Sequence, residues 1–188
     1  MEEAVTRGRR LAAAVLVAAA LGACSRGPKG PDVAGLIADL QSGDPQKKGP
    51  ASLALVRLGE PAVPALVELL KSPDPNARAA AASTLFGMGE KAAGAAPALG
   101  EALSDMEQQV RLGAAMALEN MGPAAAPAVD ALVKALRDSD RMVRQRAVIA
   151  LGAIGPPAER AVPALAQAAK NDPNHSLAEE AIQKIRRR

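Results

Sequence analysis

Aromatic side chains are almost missing from this chain: it has one Phe and neither Trp nor Tyr. A core without large rings must be filled by small and branched aliphatic groups, so its elements have to approach one another closely. Alanine is abundant instead. It is the best helix former and a poor strand former, while Val, Ile and Thr are too few and too scattered for a strand-rich fold. Cysteine is nearly absent too, and a single Cys excludes both an intrachain disulfide and a Cys-based metal site. The one histidine, His175, would have to carry any nucleophilic or metal constellation by itself. It stands in NDPNHSLAEE, which reads as the loop and cap before a last helix. No catalytic residue, metal or cofactor is therefore expected. A strong basic excess is also lacking: the net charge is +3, and much of it sits in the final IRRR, with no stripe that would suit nucleic acid. The 49% apolar content over 188 residues is enough for the core of one domain.

Long apolar runs are limited to one. Residues 1–10 carry Arg7, Arg9 and Arg10, diluted by Glu2 and Glu3, and are followed by Ala, Leu and Val from Leu11 to Leu21. A basic segment, a short apolar segment and small residues at its end are the parts of a secretory signal peptide. The run is too short for a spanning helix, which needs about 20 apolar residues. Residues 1–23 are thus set apart from the fold, and 24–31, a Gly/Pro-rich stretch with nothing to pack, reads as a tether.

Leu21, Gly22, Ala23 and Cys24 resemble a bacterial lipobox. That resemblance implies that the Cys24 sulfur receives a diacylglycerol and that a peptidase cuts before it, so that the protein begins at the lipidated cysteine. Ser25, where an Asp would signal retention, implies the outer membrane in Gram-negative members of that class. The expected location is the bacterial cell envelope, held to a membrane through lipid on Cys24.

From residue 32 to 188 the chain repeats itself. A basic residue is followed by Ala three places on, Leu or Ile seven on and Gly eleven on: Lys48, Ala51, Leu55, Gly59; Arg78, Ala81, Leu85, Gly89; Arg111, Ala114, Leu118, Gly122; Arg144, Ala147, Leu151, Gly155. A last copy keeps Ala181 and Ile185, with Ala178 at the basic position. The steps are 30, 33, 33 and 34 residues, a period that signals a solenoid or array. The repeats divide as about 32–59, 60–89, 90–122, 123–155 and 156–188. Each holds two helices. The second starts near the basic residue, carries Ala and Leu on one face and closes at Gly in a left-handed conformation. The first carries Leu pairs such as Leu66 and Leu70 after a proline. Gly49 and Pro50 disturb the start of the second helix in the first copy. Four residues before each base stands an acid, giving Asp44 with Lys48, Asp74 with Arg78, Glu107 with Arg111 and Asp140 with Arg144. Such acids cap a helix, and the spacing adds an ion pair to the base, so these eight residues are expected to form a structural ladder between repeats.

The recurring Pro-Ala-Leu, Asp, Ala/Val-Arg and Leu-x-x-Met-Gly positions of LGEPAVPALVELLKSPDPNARAAAASTLFGMG resemble HEAT repeats of the short type also found in phycobilisome-linker lyases. The resemblance covers residues 32–188. It implies an all-α, right-handed α-solenoid of about five helix pairs whose second helices line a concave side. Some HEAT-like proteins are di-iron hydroxylases with paired His-Glu motifs, but none is present here, and Phe86 is the sole aromatic for a bilin pocket. The Gly-rich GMGEKAAGAAP lacks the Gly-Lys-Ser/Thr ending of a phosphate loop and reads as a helix stop and restart. On the concave side the positions one, two and five after the base would be presented. Leu112, Met116 and Ile149 then form an apolar strip with Gln145 and Arg146 at one end, the expected partner-binding residues. The expected function is a monomeric, non-catalytic binding or scaffold module with an unidentified protein partner. The competing reading is an accessory or lyase-type protein that handles a small ligand in the groove.

Overall fold

The computed structural model describes residues 32–171 and 175–187. Their path is ten α-helices in five pairs: α1 (Val33–Gln41) with α2 (Pro45–Leu58), α3 (Val63–Leu69) with α4 (Pro75–Met88), α5 (Ala96–Ala102) with α6 (Gln108–Met121), α7 (Val129–Ala135) with α8 (Arg141–Ile154), and α9 (Val162–Asn171) with α10 (His175–Arg186). The second helix of each pair packs beside the second helix of the next, and the first helix of each pair packs on its own second helix. This is an all-α solenoid.

Helix starts follow from the capping acids. The Asp44 carboxylate accepts the Gln46 N–H, Asp74 accepts that of Asn76, and Asp140 accepts those of Met142 and Val143 at 2.8 and 3.0 Å. Each bond satisfies a backbone donor that has no intrahelical partner. Glu107 holds the same position before α6 but makes no such side-chain bond, in keeping with glutamate being the longer and poorer cap. α2 runs without interruption through Gly49 and Pro50. Burial of Ala51 and Leu55 on its inner face outweighs the local cost of the proline, as tertiary packing does for most helices.

Each of α2, α4, α6 and α8 ends at a glycine: Gly59, Gly89, Gly122 and Gly155, with φ between +57° and +71°. The ψ values run from −132° to −142°, so the backbone is the mirror image of an extended strand and not the left-handed helical turn expected from the sequence. That conformation is open to glycine alone at low cost, and it delivers the chain directly into a 3-10 segment. The segments are Glu60–Ala62, Gly89–Ala95, Gly122–Ala128 and Pro156–Ala161. They take up the proline- and alanine-rich stretches and shorten the first helices to seven residues in three of the pairs.

The core is the stacked repeat positions themselves. Leu66, Leu99, Leu132 and Leu165 from the first helices and Leu55, Leu85, Leu118 and Leu151 from the second are all fully buried. Between them lie Ala51, Ala81, Ala114, Ala147 and Ala181. Fully burying each leucine contributes about 1.5–3 kcal/mol. Small residues set the spacing: a side chain added to Gly152 in α8 would meet the Cα and Cβ of Ala181 in α10 at 3.1 Å.

Candidate protein-interaction face

The arginines of the second helices do not pair with the acids four residues before them. Arg78 donates through Nε and Nη2 to both carboxylate oxygens of Asp105 in the next repeat, at 2.7 and 2.8 Å. Its Nη1 donates to the Ser72 and Pro73 carbonyls of its own loop. Arg111 repeats the pattern on Asp138 at 2.8 and 3.2 Å and on the Asp105 and Met106 carbonyls. Arg144 donates to the Asp138 and Ser139 carbonyls. This corrects the expected ion pairs. The cap carboxylates of Asp74 and Asp140 are occupied by backbone N–H groups, and a planar guanidinium fork is satisfied better by a second carboxylate and two carbonyls. The inter-repeat acids stand six residues before the base of their own repeat. Each also accepts the N–H two residues on, Asp105 from Glu107 and Asp138 from Asp140.

The environment of these acids follows. The hydrogen bond from Arg78 holds Asp105 below the usual carboxylate range against the opposing effect of burial, helped by the Glu107 N–H and the charges of Arg78 and Arg111. At Asp138 burial pushes upward, and the Arg111 hydrogen bond, the Asp140 N–H and the Arg111 charge together bring it net below that range. Smaller links join the same helices: Ser52 and the buried Thr84 share a 2.9 Å hydroxyl bond, Gln108 donates to Asp140, and Asn120 donates to the Phe86 carbonyl at the end of α4.

Beside this framework lies the face expected to meet a partner. α4 and α6 enclose a groove of about 190 Å³ lined by Ala79, Ser83, Phe86, Gln109, Leu112, Gly113 and Met116. It includes Leu112 and Met116 from the expected strip, and its lining holds no titratable side chain. Gly113 lets the two helices close up, since a Cβ there would lie 3.1 Å from that of Ala82. Ile149 is half-buried on α8, one helix further along. Gln145 lines a separate small crevice with Leu136, Val148 and Leu177. Arg146 is not presented as an isolated charge: its guanidinium donates to Glu119 of α6 at 3.1 Å. The strip is thus continuous over α4 and α6 and is bounded at α8 by an ion pair. Gln109 belongs to it too, as does Phe86, which the sequence marked only as the sole aromatic and not as part of this face. The signal for Phe86 was its place eight residues after Arg78, a helical turn beyond Ser83 on the same face.

Cys24 and the flanking Leu21, Gly22 and Ala23 lie outside the described residues. Among the described residues no helix is long and apolar enough to cross a membrane, and no cluster of His, Cys, Asp and Glu is arranged to hold a metal ion.

Comparison with known proteins places this architecture. No curated protein matches the chain. Among solved structures, an engineered protein is 25% identical with a TM-score of 0.60, covering 81% of this chain and 77% of its own. A second engineered protein is 26% identical with a TM-score of 0.59, covering 81% of this chain and 46% of its own. The complex of CpcE and CpcF of phycocyanin lyase from Nostoc sp. PCC7120 contains a chain 24% identical, with a TM-score of 0.66 over 81% of this chain and 96% of that one. At that identity the likeness shows the fold. The profile describing HEAT repeats matches residues 33–99 and 96–186, which takes in all five helix pairs and the Arg–Asp rungs between them. With glycine-closed helix pairs stacked on that register, the chain belongs to the HEAT-repeat family.

Proposed function

We propose that this chain is a lipid-anchored, non-catalytic scaffold of the bacterial cell envelope that binds a protein partner on the exposed face of its second helices. The observation that carries the binding reading is the groove between α4 and α6, apolar apart from Ser83 and Gln109 and bordered by the part-exposed Phe86. Its shape and lining suit side chains of a partner better than a reacting small molecule, for which convergent polar or titratable groups are the usual mark. Anchoring is supported by the sequence Leu21-Gly22-Ala23-Cys24, and the outer membrane by Ser25. An accessory role in handling a small ligand is the second reading. It is favoured by the fold shared with the chain from the phycocyanin lyase complex.

The test is a photo-crosslinking amino acid placed at position 116 in cells of the source bacterium, alongside the same group at the exposed position 134 of α7. A discrete protein adduct from position 116 only, lost when Leu112→Asp is added, is the expected result. Equal labelling at both positions, or none at 116, would overturn the binding reading. Intact mass of the membrane-purified protein checks the anchor separately: a form beginning at Cys24 with added lipid mass is expected, and it should vanish in Cys24→Ser.

A further inference from the structure

A second groove lies on the first-helix side, between α3 and the 3-10 segment Gly89–Ala95. It is larger, about 530 Å³, with Val63, Pro64, Val67 and Gly94 as its apolar wall and the exposed charges Glu60, Glu68 and Lys91 around it. That volume falls within the range of about 300–1,000 Å³ typical of sites that enclose a ligand. The repeat explains why the groove is open. One period on, the place of Gly94 is held by Pro127, and two periods on by Arg160. There the Arg160 side chain crosses from the 3-10 segment to α7 and donates through Nε to Asp130 at 2.7 Å, Asp130 standing where α3 has Pro64. Two repeats on, this place therefore carries an arginine that meets a carboxylate across the two elements, with both side chains more than half exposed. In the second repeat the arginine is gone and the carboxylates remain, shifted to Glu60 and Glu68.

We propose that this groove seats a segment of a partner protein in which apolar side chains are flanked by arginines or lysines. The charges fit. Glu60 has no ion-pair partner among the described residues, and Glu68 holds only the exposed Lys71, a pair of the sort worth about 0–1 kcal/mol and readily exchanged. The Lys91 stem lies against Gly59 at the groove's end, with 3.4 Å from its Cδ to a Cβ built there, which leaves the α3 side of the groove acidic. Residues 32–122, which surround it, carry eleven acidic against seven basic residues, whereas 123–188 carry seven against eleven. A basic segment is drawn to the first half and repelled by the second.

The experiment uses the purified protein and three fluorescein-labelled peptides of equal length, read by fluorescence polarisation. One has a pair of leucines flanked on each side by two arginines, the second has glutamates for the arginines, and the third has alanines for the leucines. The first should bind saturably, with affinity falling as salt rises, and the other two should bind at least about tenfold more weakly, a difference of about 1.4 kcal/mol. Gly94→Leu should close the groove and weaken binding by a similar factor. The residue has an ordinary backbone conformation, and a Cβ there makes only a 3.7 Å contact with Val63, so the fold accommodates it. Glu60→Gln, which leaves the groove open, should weaken binding about threefold and flatten the salt dependence. Circular dichroism confirms that each variant is folded. Equal binding of the arginine and glutamate peptides, undiminished binding by folded Gly94→Leu, or no saturable binding of the first peptide would each overturn the proposal.

Discussion

The first repeat and the two that follow solve the same joining problem with different parts. Between the second and third repeats, and again between the third and fourth, an arginine clamps a carboxylate with two hydrogen bonds and ties off two loop carbonyls with a third nitrogen. In the first repeat the base is Lys48, and the place of the next repeat's acid is taken by Ser72. Lys48 has no ion-pair partner among the described residues, and the link from α2 to α4 is the Ser52–Thr84 hydroxyl bond. A stack of repeats has stability that is local, a sum of each unit and its interfaces, so the first interface should be the weaker one. Arg111→Ala should have the largest effect. It leaves the largely buried Asp138 carboxylate with the Asp140 N–H but without its guanidinium, and the Asp105 and Met106 carbonyls without the Arg111 donor. A loss of about 2–4 kcal/mol is expected in urea unfolding, against less than about 0.5 kcal/mol for Lys48→Ala. The acid limb should change as well. Asp105 and Asp138 have lowered folded pKa values, so the stability they add is complete above the unfolded carboxylate pKa of about 3.9 and is lost as pH falls below it toward the folded values. In Arg111→Ala the acid destabilisation below about pH 4 should be shallower, because the hydrogen bond that lowers Asp138 is gone.

The same contrast holds in helix spacing. A Cβ built on Gly152 of α8 would lie 3.1 Å from the Cα and Cβ of Ala181, so a side chain there pushes on α10, whereas one built on Gly49 of α2 meets nothing of any other helix within 4 Å. Gly152→Val should cost about 1–3 kcal/mol by overpacking. Gly49→Ala should instead change stability by less than about 0.5 kcal/mol, since the gain in helix propensity is offset by the clash of the new Cβ with the ring of Pro50 that follows it. Thermal melts of the two variants measure the difference. A neutral Gly152→Val would mean that α10 is held loosely enough to slide.

These differences show what the residues disclosed on their own. The five-fold register was legible because Leu, Ala and Gly at fixed offsets are each required by burial, close packing or a positive φ, and those demands act within one helix. The rungs were not. Each loop offers two acids, Asp105 and Glu107 or Asp138 and Asp140, and helical spacing pointed to the one nearer in sequence. The nearer acid stands at the helix cap, and the partner lies 27 residues on, at a distance only the stacking of repeats sets. Of the candidate face, Leu112 and Met116 could be found from periodicity, because position on a helix decides exposure. The Glu119 partner that occupies Arg146 could not, since it depends on the register between two helices. The large groove beside Gly94 was invisible for a similar reason: an absent side chain matters only once the wall opposite it is known.

The first repeat can also be given the parts that it lacks. Ser72 already does half the work of the acids it replaces, since its hydroxyl accepts the Asp74 N–H just as Asp105 and Asp138 accept the N–H two residues on. Ser72→Asp keeps that bond and brings a carboxylate to the place where Lys48, half-buried on α2, stands in for the arginine. A lysine is a point charge without a fork, so the gain should be modest, about 0.3–1 kcal/mol, and should shrink in high salt. Combining it with Lys48→Arg should add more than the two single changes together, because only the pair provides both a fork and its carboxylate. If the double variant gains nothing over the sum of the singles, then α2 and α4 are spaced differently from α4 and α6, and the weak first interface is a matter of geometry, not of the two residues that distinguish it.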